Sequence, residues 1–454
     1  MPIKNNIKKF VPQSLRNYYH FLQSFLSNVR YGFPWKKLKL IGVTGTDGKT
    51  TTVNLIYHFL KSSGFKVSMI STIKAIIGNK EFDTGFHVTT PDPWLIPQYM
   101  NKAVKAGSEY MVLEVTSHAL DQHRMAGLKY DVGVLTNITH EHLDYHKTYD
   151  KYLQTKTKLL KSSKIAILNA DDEPYNKLES LFEKKRKTAV VSYGIEKEAD
   201  VEAQNVVYKK DSTEFVLSFD KTNLKNRVEH KKLTKKKLVK MNVVSSLIGD
   251  YNVSNMLAAM TACLSLDIEP RLFVTHAKSF KTLNGRLEDV KINSDFRVIV
   301  DFAHTPGAFS KVLPVVKNLV PKGKLIHIFG SAGLRDDTKR PLMGEMSGKF
   351  ADVTIITAED PRTERVEDIS VQIEAGCQKS GMTYGDHTQK FSFKKKTYFK
   401  IPDRSAAIEF AITKLAVKGD IVLITGKGHE KSMCFGTTET PWSDFDAVKK
   451  ILKD

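Results

Sequence analysis

The feature that most constrains the fold is a glycine-rich turn between a strand-like and a helix-like run. The segment LKLIGVTG (38–45) predicts a buried strand, and TTVNLIYHFLKSSG (51–64) predicts a helix with Gly64 as its C-cap. Further strand-like runs follow at KVSMI, YMVLEV, DVGVLTNI and KIAILN, with helical stretches between several of them. This alternation predicts an α/β fold whose mostly parallel sheet is covered on both faces.

The pattern changes twice along the chain. Residues 187–248 contain the short β-like runs TAVVSYG, NVVYKK and EFVLSF and the lysine-rich stretch KKLTKKKLVK, which predict a small antiparallel appendage. A second α/β series begins near residue 284, with the runs RVIVDFA, KLIHIFGS, DVTIITAED and DIVLITG. We therefore predict a short N-terminal segment (1–38), a central domain (39–283) and a C-terminal α/β domain (284–454).

The N-terminal segment has the apolar spacing of an amphipathic helix. Its apolar positions are Leu15, Tyr18, Tyr19, Leu22, Phe25, Leu26 and Val29. Such a stripe usually packs on the neighbouring domain, and the alternative is a basic amphipathic helix lying on a membrane surface.

Composition narrows the class of protein without choosing a partner. Seventy basic and fifty acidic residues give a formal charge of +20, which is compatible with nucleic acid, anionic membranes or acidic small molecules. The three cysteines are too few and too far apart for a disulfide framework. No apolar run approaches the roughly 20 residues of a membrane span, so we expect a soluble, cytoplasmic protein.

The turn after the first strand has the chemistry of a phosphate-binding loop. Glycines let backbone N–H groups converge on phosphate oxygens, Lys49 adds a positive charge, and Thr50 carries the hydroxyl expected on Mg²⁺. The strict P-loop pattern fails at one place, because Val43 stands where the first glycine belongs. The predicted nucleotide-binding residues are Gly45, Thr46, Asp47, Gly48, Lys49, Thr50 and Thr51.

A second cluster lies at the ends of two later strands. Glu114 ends YMVLEV, and His142 and His146 follow DVGVLTNI. An acid and a histidine at neighbouring strand ends could both reach a metal beside the phosphate loop. A helix-capping glutamate and solvated loop histidines are the open alternatives.

The loop TGTDGKTT resembles the T-G-T-x-G-K-T-T loop of the Mur ligases, ATP-dependent enzymes that add amino acids to peptidoglycan precursors. The rest of the chain is most similar to the MurE branch, the UDP-N-acetylmuramoyl-tripeptide synthetases. The resemblance implies a P-loop ATPase central domain and a Rossmann-like C-terminal domain. It implies two Mg²⁺ ions, one on Thr50 and Glu114 and one on His142, with Lys156 carbamylated as a further ligand. Lys49, Glu114, His142 and Lys156 are then the expected catalytic residues.

Other motifs of this branch follow in order. The resemblance implies that the muramoyl-peptide contacts Thr89 and Thr90 of TTPDP, together with Ser117, Gln122 and Arg124. It assigns Asn252, Asn255, Arg286, Asp301 and His304 to the ATP site.

The C-terminal domain resembles the part of MurE that binds the incoming amino acid. The implied pocket residues are Arg335, Asp360, Arg362, Gly426 and Glu430. Arg362 lies in AEDPRTE, which resembles the D-N-P-R-T-E motif of enzymes that use meso-diaminopimelate rather than L-lysine. Asp360 stands where that motif has asparagine, and Leu334 replaces an aspartate of a neighbouring motif.

The resemblance covers residues 39–454. MurE enzymes carry an N-terminal uridine-binding domain of roughly a hundred residues, within ordinary domain limits. Here 38 residues precede the predicted central domain. The expectation is that the uridine anchor is missing, supplied by a separate partner, or unnecessary.

Three functions remain open at this point. The first is a MurE-like ligase that adds a diamino acid to UDP-N-acetylmuramoyl-L-alanyl-D-glutamate. The second is a ligase of the same superfamily that acts on another acid, as folylpolyglutamate ligases do. The third is a nucleic-acid-binding P-loop ATPase, suggested by the +20 charge but disfavoured because the basic residues are spread along the chain. We expect no nucleic-acid partner.

Overall fold

The computed structural model describes residues 12–82, 91–139, 141, 143–183, 187–209, 211–229, 234–389 and 395–452. They form two compact units. The N-terminal unit comprises Met1–Thr139 and His146–Phe280, and the C-terminal unit comprises His140–Tyr145 and Lys281–Asp454. The short segment at 140–145 therefore groups with the C-terminal unit, which its position in the sequence does not suggest.

The N-terminal unit is built on a large, mainly parallel sheet. Its strands are β1 (Lys39–Thr44), β2 (Val67–Ile70), β3 (Ala75–Ile77), β4 (Lys80–Phe82), β5 (Tyr110–Glu114), β6 (Tyr130–Leu135), β7 (Ser163–Asn169), β8 (Ala189–Gly194), β9 (Val201–Tyr208), β10 (Thr213–Asp220) and β11 (Leu238–Ser245). Within the described ranges these strands form one sheet in the order β11-β10-β9-β8-β7-β6-β1-β5-β2-β3-β4. The predicted parallel sheet is confirmed.

The predicted appendage differs from expectation in how it joins this sheet. Strands β9 to β11 pair antiparallel, as predicted, but they extend the large sheet. The run TAVVSYG forms β8, which pairs in parallel with β7 and belongs to the sheet core. All six residues of β8 are buried, so both of its faces need covering, as in a central parallel strand.

Helices cover the sheet and position the loops that follow its strands. They are α1 (Gln13–Arg30), α2 (Lys49–Ser62), α3 (Leu95–Lys105), α4 (Ser117–Asp121), α6 (Tyr149–Lys161), α7 (Tyr175–Glu183), α8 (Lys221–Glu229), α9 (Asp250–Ser265) and α10 (Pro270–Val274). Helix α5 (Leu143–His146) lies between α4 and α6 in the chain, and its residues 143–145 group with the C-terminal unit. Almost every residue of α9 is buried, including Ala258, Ala259 and Ala262. A helix that is apolar on all sides is typical of a core position, and small side chains let neighbours approach closely.

Helix α1 forms where predicted, but the prediction that its apolar stripe packs on the neighbouring domain is wrong. Leu15, Tyr18 and Leu26 each expose more than half of their surface. Ser24, Ser27 and Asn28, on the opposite side, are the buried residues of the helix. The helix therefore packs through its polar side.

The C-terminal unit contains a second, mostly parallel sheet and a hairpin. Its strands are β12 (Glu288–Asp289), β13 (Arg297–Asp301), β14 (Leu325–Phe329), β15 (Val353–Ile356), β16 (Thr383–Tyr384), β17 (Thr397–Lys400), β18 (Ile421–Thr425), β19 (Ser432–Phe435) and β20 (Thr438–Pro441). The sheet order is β12-β13-β18-β14-β15-β17-β16, and among the described strands of this sheet only β12 pairs antiparallel. Strands β19 and β20 form the hairpin. This is the α/β architecture that the sequence predicts.

The helices of this unit are α11 (Pro306–Asn318), α12 (Lys339–Phe350), α13 (Val366–Lys379), α14 (Arg404–Phe410) and α15 (Asp444–Leu452). The parallel strands β13, β18, β14 and β15 bring their carboxyl ends to one edge of the sheet, where open α/β sheets bind ligands. Among all the helices of the described residues, none is long and apolar enough to cross a membrane.

Candidate functional site

The turn between β1 and α2 requires its two glycines for steric reasons. Gly48 has φ +80°, and a Cβ atom there would lie 2.1 Å from Oδ1 of Asn255. A Cβ atom on Gly45 would lie 1.8 Å from Oγ1 of Thr136. Neither position has room for a side chain, so the backbone passes close to both neighbours.

The loop is braced by residues that follow β6. The backbone N–H of Thr46 donates to the carbonyl of Asn137 (2.8 Å), and that of Asp47 donates to the Asn137 side chain (3.0 Å). Thr136 donates its hydroxyl to the Asp47 carbonyl (2.6 Å). Sequence reasoning missed Thr136 and Asn137, although both follow a buried strand, where such groups commonly lie. These bonds fix the conformation of the loop.

Glu114 lies beside the loop because β5 pairs in parallel with β1, with Glu114 opposite Val43. Its carboxylate is buried and accepts a hydrogen bond from the Thr50 hydroxyl (3.1 Å). Thr72, which follows β2, donates to it from its backbone N–H (2.9 Å) and its hydroxyl (2.8 Å). A carboxylate and a hydroxyl in contact are the hard oxygen ligands that Mg²⁺ prefers. Thr50 and Glu114 therefore fit the first predicted metal site.

Lys49 lies over the same loop. Its Nζ donates to the carbonyls of Gly45 (3.1 Å) and Thr46 (2.6 Å). It stands at the first position of α2, so its charge adds to the positive end of the helix. The loop, lysine and helix end together can bind a phosphate group.

Lys156, on α6, is buried against the phosphate loop and is not a surface lysine. Its Nζ donates to the Gly45 carbonyl (2.5 Å) and lies 4.5 Å from the centre of the Tyr152 ring. The Tyr152 hydroxyl is within hydrogen-bond distance of the Thr46 hydroxyl (3.1 Å). The fold thus brings Lys156 to the same loop as Thr50, from a helix more than a hundred residues further along the chain.

Three predicted site residues lie outside the described residues: Thr89, Thr90 and His142. The second metal site depends on His142 and stays a prediction. Within the described ranges, no group of three or more His, Cys, Asp or Glu side chains could hold a metal ion.

The remaining predicted residues of the N-terminal unit lie near the loop or after β5. Asn255 and Asn252 occupy the first two turns of α9, where Asn255 is packed against Gly48. Ser117 is buried in the first turn of α4, which follows β5. Arg124 donates from Nε to the Gln122 side chain (3.0 Å), so these two predicted substrate contacts are coupled.

In the C-terminal unit, Asp301 ends β13 and is buried. It accepts hydrogen bonds from the backbone N–H groups of Leu287 and Ala303, each at 2.7 Å. Burial raises the pKa of Asp301, and the nearby Arg286 guanidinium offsets part of that shift. Arg286 itself lies 4.6 Å from the centre of the Phe302 ring.

His304 follows Asp301 in the chain, and both its imidazole ring and its backbone carbonyl make polar contacts. Its Nδ1 lies 2.8 Å from the carbonyl of Phe302, and its own carbonyl accepts a hydrogen bond from Lys339 (2.8 Å). The end of β13 and the loop after it therefore place Asp301 and His304 close together, with Arg286, which precedes β12, against Phe302. Their assignment to the ATP site stays a prediction.

Asp360 is part of a buried charge network that sequence reasoning missed. Lys427 is completely buried, and its Nζ contacts Asp360 (2.7 Å) and Glu430 (2.5 Å). The Cys434 N–H also donates to Asp360 (3.0 Å). Burial alone would lower the pKa of Lys427, but the two carboxylates raise it above its ordinary value. The unusual aspartate is thus balanced by a lysine from the GKGHE segment.

Arg362 is fixed by backbone contacts with the β19–β20 hairpin. Its N–H donates to the Cys434 carbonyl (3.0 Å), and its carbonyl accepts from Gly436 (2.7 Å). The guanidinium donates to the Gly333 carbonyl. Arg335, by contrast, is exposed on the loop after β14. The backbone of Arg362 is therefore held by the hairpin through both its N–H and its carbonyl.

Glu359 is another residue that the sequence analysis did not single out. It follows β15 at the carboxyl edge of the sheet and is 6% exposed. Its Oε2 has no hydrogen-bond partner among the described residues, and it lies where a Cβ atom of Gly426 would be (2.1 Å). Burial raises the pKa of Glu359 to about 7, although His304, Lys339, Arg404 and Lys427 act in the opposite direction. Glu359 can be read from the sequence segment AEDP, but its burial becomes visible only in the tertiary structure.

Comparison with known proteins places these features in one family. The chain matches the Mur ligase middle domain over residues 43–263 and the Mur ligase, glutamate ligase domain over residues 285–428. It is 35% identical to the UDP-N-acetylmuramyl-tripeptide synthetase of Roseiflexus sp. (strain RS-1), covering 93% of this chain and 80% of that protein. It is 37% identical to the UDP-N-acetylmuramoyl-L-alanyl-D-glutamate–2,6-diaminopimelate ligase of Alkaliphilus metalliredigens, covering 94% and 80% respectively.

Solved structures agree with this fold. A UDP-N-acetylmuramoyl-L-alanyl-D-glutamate–2,6-diaminopimelate ligase superposes with a TM-score of 0.61 at 26% identity, covering 95% of this chain and 82% of that one. MurF from Acinetobacter baumannii superposes with a TM-score of 0.65 at 14% identity, covering 95% and 81%. At that identity the second likeness concerns the fold alone.

Glu359→Gln should stabilise the protein in a pH-dependent way. A raised carboxyl pKa means that the folded state holds a proton which the unfolded state loses, so stability falls as pH rises from about 4.5 to about 7. The neutral amide of glutamine removes the free-energy cost of ionising a buried carboxyl group in the folded state. We expect the variant to gain about 2 kcal/mol in the free energy of unfolding at pH 8.5 and little at pH 4.5, measured by urea denaturation.

The exposed Glu409, on α14, supplies the matched control. Glu409→Gln should leave stability within about 0.5 kcal/mol at both pH values. An equal gain for Glu359→Gln at pH 4.5 and pH 8.5 would contradict the assigned ionisation.

Proposed function

The chain belongs to the Mur ligase family of ATP-dependent ligases, and we propose that it joins meso-diaminopimelate, in preference to L-lysine, to UDP-N-acetylmuramoyl-L-alanyl-D-glutamate. The product would be a precursor of peptidoglycan. The observation that carries the ligase chemistry is the buried contact between Glu114 and Thr50 at the phosphate loop. The names of the relatives support the choice of substrates.

The first step in the proposal activates the acceptor carboxylate. One of its oxygens attacks the γ-phosphorus of ATP, a new C–O–P linkage forms, and ADP leaves. Lys49 and the N–H groups at the start of α2 offset the negative charge on the phosphates. Mg²⁺ held by Thr50 and Glu114 would supply further charge neutralisation. A second ion on His142 and a carbamylated Lys156 is part of the same proposal.

The second step forms the amide bond. The free amine of the diamino acid attacks the acyl phosphate carbon, the C–N bond forms, and inorganic phosphate leaves with the carboxylate oxygen. Arg362 would pair with the distal carboxylate that diaminopimelate has and lysine lacks. Its backbone is held by the β19–β20 hairpin, which suits a residue that must present its guanidinium in one place.

A ligase of the same superfamily acting on another acid is the second candidate. The chain spans about 80% of the length of the relatives it matches. Substrate assays must decide between the two acceptor classes.

Lys156→Ala should lower kcat by about 100-fold or more, because the proposed anionic ligand is lost while the loop contact to Gly45 also disappears. Short carboxylic acids such as formate or acetate should restore part of the rate by occupying the carbamate position. Lys161→Ala, on the exposed end of the same helix, serves as the control. Full activity in Lys156→Ala would remove this residue from the mechanism.

Arg362→Ala should lower kcat/KM for diaminopimelate by about 50-fold, since a charge-assisted pair contributes roughly 1.5–3 kcal/mol. The value for L-lysine should change little. Arg365→Ala removes an exposed arginine from the same loop and should affect neither substrate. Equal losses for both amino acids in Arg362→Ala would refute the discriminator role.

Release of phosphate from ATP should require an acceptor carboxylate and an amine together. The assay crosses UDP-muramoyl-dipeptide, muramoyl-dipeptide without UDP, and folate with diaminopimelate and lysine. Turnover with UDP-muramoyl-dipeptide and diaminopimelate is expected. Turnover with folate would favour the second candidate, and ATP turnover stimulated by DNA or RNA alone would contradict both.

A further inference from the structure

Helix α1 is packed with its polar side inward. The Ser24 hydroxyl donates to the Ala126 carbonyl (3.1 Å), and the Ser27 hydroxyl donates to the Trp94 carbonyl (2.9 Å). The Asn17 side chain donates to the Asp121 carbonyl (3.1 Å). These bonds come from side chains along most of the helix length, so its orientation on the N-terminal unit is specified by hydrogen bonds.

The side that faces solvent is apolar. We call it the α1 face; it consists of Leu15, Tyr18, Tyr19, Phe21, Phe25, Leu26 and Val29, which are between 41% and 61% exposed. Single exposed apolar residues are ordinary, but a contiguous row of seven on one helix is typical of a binding surface. Reversing the helix would bury these side chains, yet the polar contacts hold them outward.

The segment that carries this face has charges of one sign. Residues 1–38 contain seven lysines and arginines and no aspartate or glutamate, and the first acidic residue of the chain is Asp47. Arg30, Lys36 and Lys37 are exposed at and just beyond the end of α1. Basic residues beside exposed Phe, Tyr and Leu side chains are the combination that binds anionic membrane interfaces.

We propose that the α1 face binds the surface of an anionic lipid bilayer, with its aromatic and aliphatic side chains in the headgroup region. Charge complementarity selects this occupant over a second copy of the chain. A symmetric contact would bring together two copies of a segment that carries seven basic residues and no carboxylate, so the like charges would have no compensation within it. A single convex helix also suits a deformable bilayer better than a protein partner, which would need a matching groove.

The α1 face contains none of the residues that we place at the phosphate loop or in the amino-acid pocket. The inner side of α1 contacts the carbonyls of Asp121 and Ala126, on either side of the predicted acceptor contact Gln122. The buried polar side attaches the helix to the enzyme, and the exposed side would attach the enzyme to the membrane surface. The proposed membrane binding is peripheral, because a helix of 18 residues with polar contacts on one side does not cross a bilayer.

The test is co-sedimentation of the full chain with vesicles. We expect binding to phosphatidylcholine vesicles that contain about one-third phosphatidylglycerol, little binding to pure phosphatidylcholine, and loss of binding at about 0.5 M NaCl. Leu26→Gln/Val29→Gln should weaken binding about tenfold, since two apolar side chains no longer enter the interface. Circular dichroism checks that the helix content is retained.

Matched control variants test whether vesicle binding depends on the α1 face or on any exposed apolar or basic residues of the protein. Leu342→Gln/Val371→Gln removes a leucine and a valine of similar exposure (50% and 56%) from the C-terminal unit and should bind as the parent does. Lys36→Glu/Lys37→Glu should weaken binding to anionic vesicles, whereas Lys322→Glu/Lys418→Glu, at two exposed lysines elsewhere, should weaken it much less.

Two outcomes would overturn the proposal. The first is equal binding to both vesicle types, or equal effects of the α1 variants and their controls. The second is a dimer in sedimentation velocity that Leu26→Gln/Val29→Gln dissociates, without vesicle binding, which would assign the α1 face to a second copy. If the parent chain binds the vesicles but shows no ligase activity, that result would count against the proposed function and not against membrane binding.

Discussion

The N-terminal unit depends on the parallel pairing of β1 with β5 and β6. That register sets Glu114 opposite Val43, at the point where the chain leaves β1 for the phosphate loop. It also brings Thr136 and Asn137 to the other side of the same loop. A shift of one residue would turn the Glu114 side chain to the opposite face of the sheet. The loop, its buried carboxylate and its bracing bonds are therefore one structural unit.

In the C-terminal unit, a buried ion pair connects the strand ends that surround the predicted pocket. Arg404 is buried and makes a bidentate ion pair with Asp444, with both N–O distances at 2.8 Å. Its remaining donors reach the carbonyls of Ala358 (3.2 Å) and Thr425 (2.9 Å), which lie beside Glu359 and Gly426. Breaking a buried pair of this kind typically costs 3–5 kcal/mol. The arginine holds together the ends of two strands from which the predicted pocket is built.

Helix α1 shows the limit of periodicity as evidence. The three- and four-residue spacing correctly predicts a helix, because one face of the segment is apolar. Spacing does not show which face packs inward. In this chain the hydroxyls of Ser24 and Ser27 meet carbonyl oxygens of distant segments, and that geometry exists only after folding. The apolar face is therefore exposed to solvent, where we propose that it binds a lipid bilayer.

The sequence by itself determined the α/β class, the phosphate loop with its two glycines and Lys49, and the order of the family motifs, since these depend on local patterns. Tertiary structure decided the burial of Lys156, the pairing of Asp360 with Lys427, and the isolation of the Glu359 carboxylate. Each of these depends on residues far apart in the chain that approach within hydrogen-bond distance. It also decided that β8 lies in the parallel core and that α1 faces outward, because pairing and packing partners are not encoded in the spacing of a single segment.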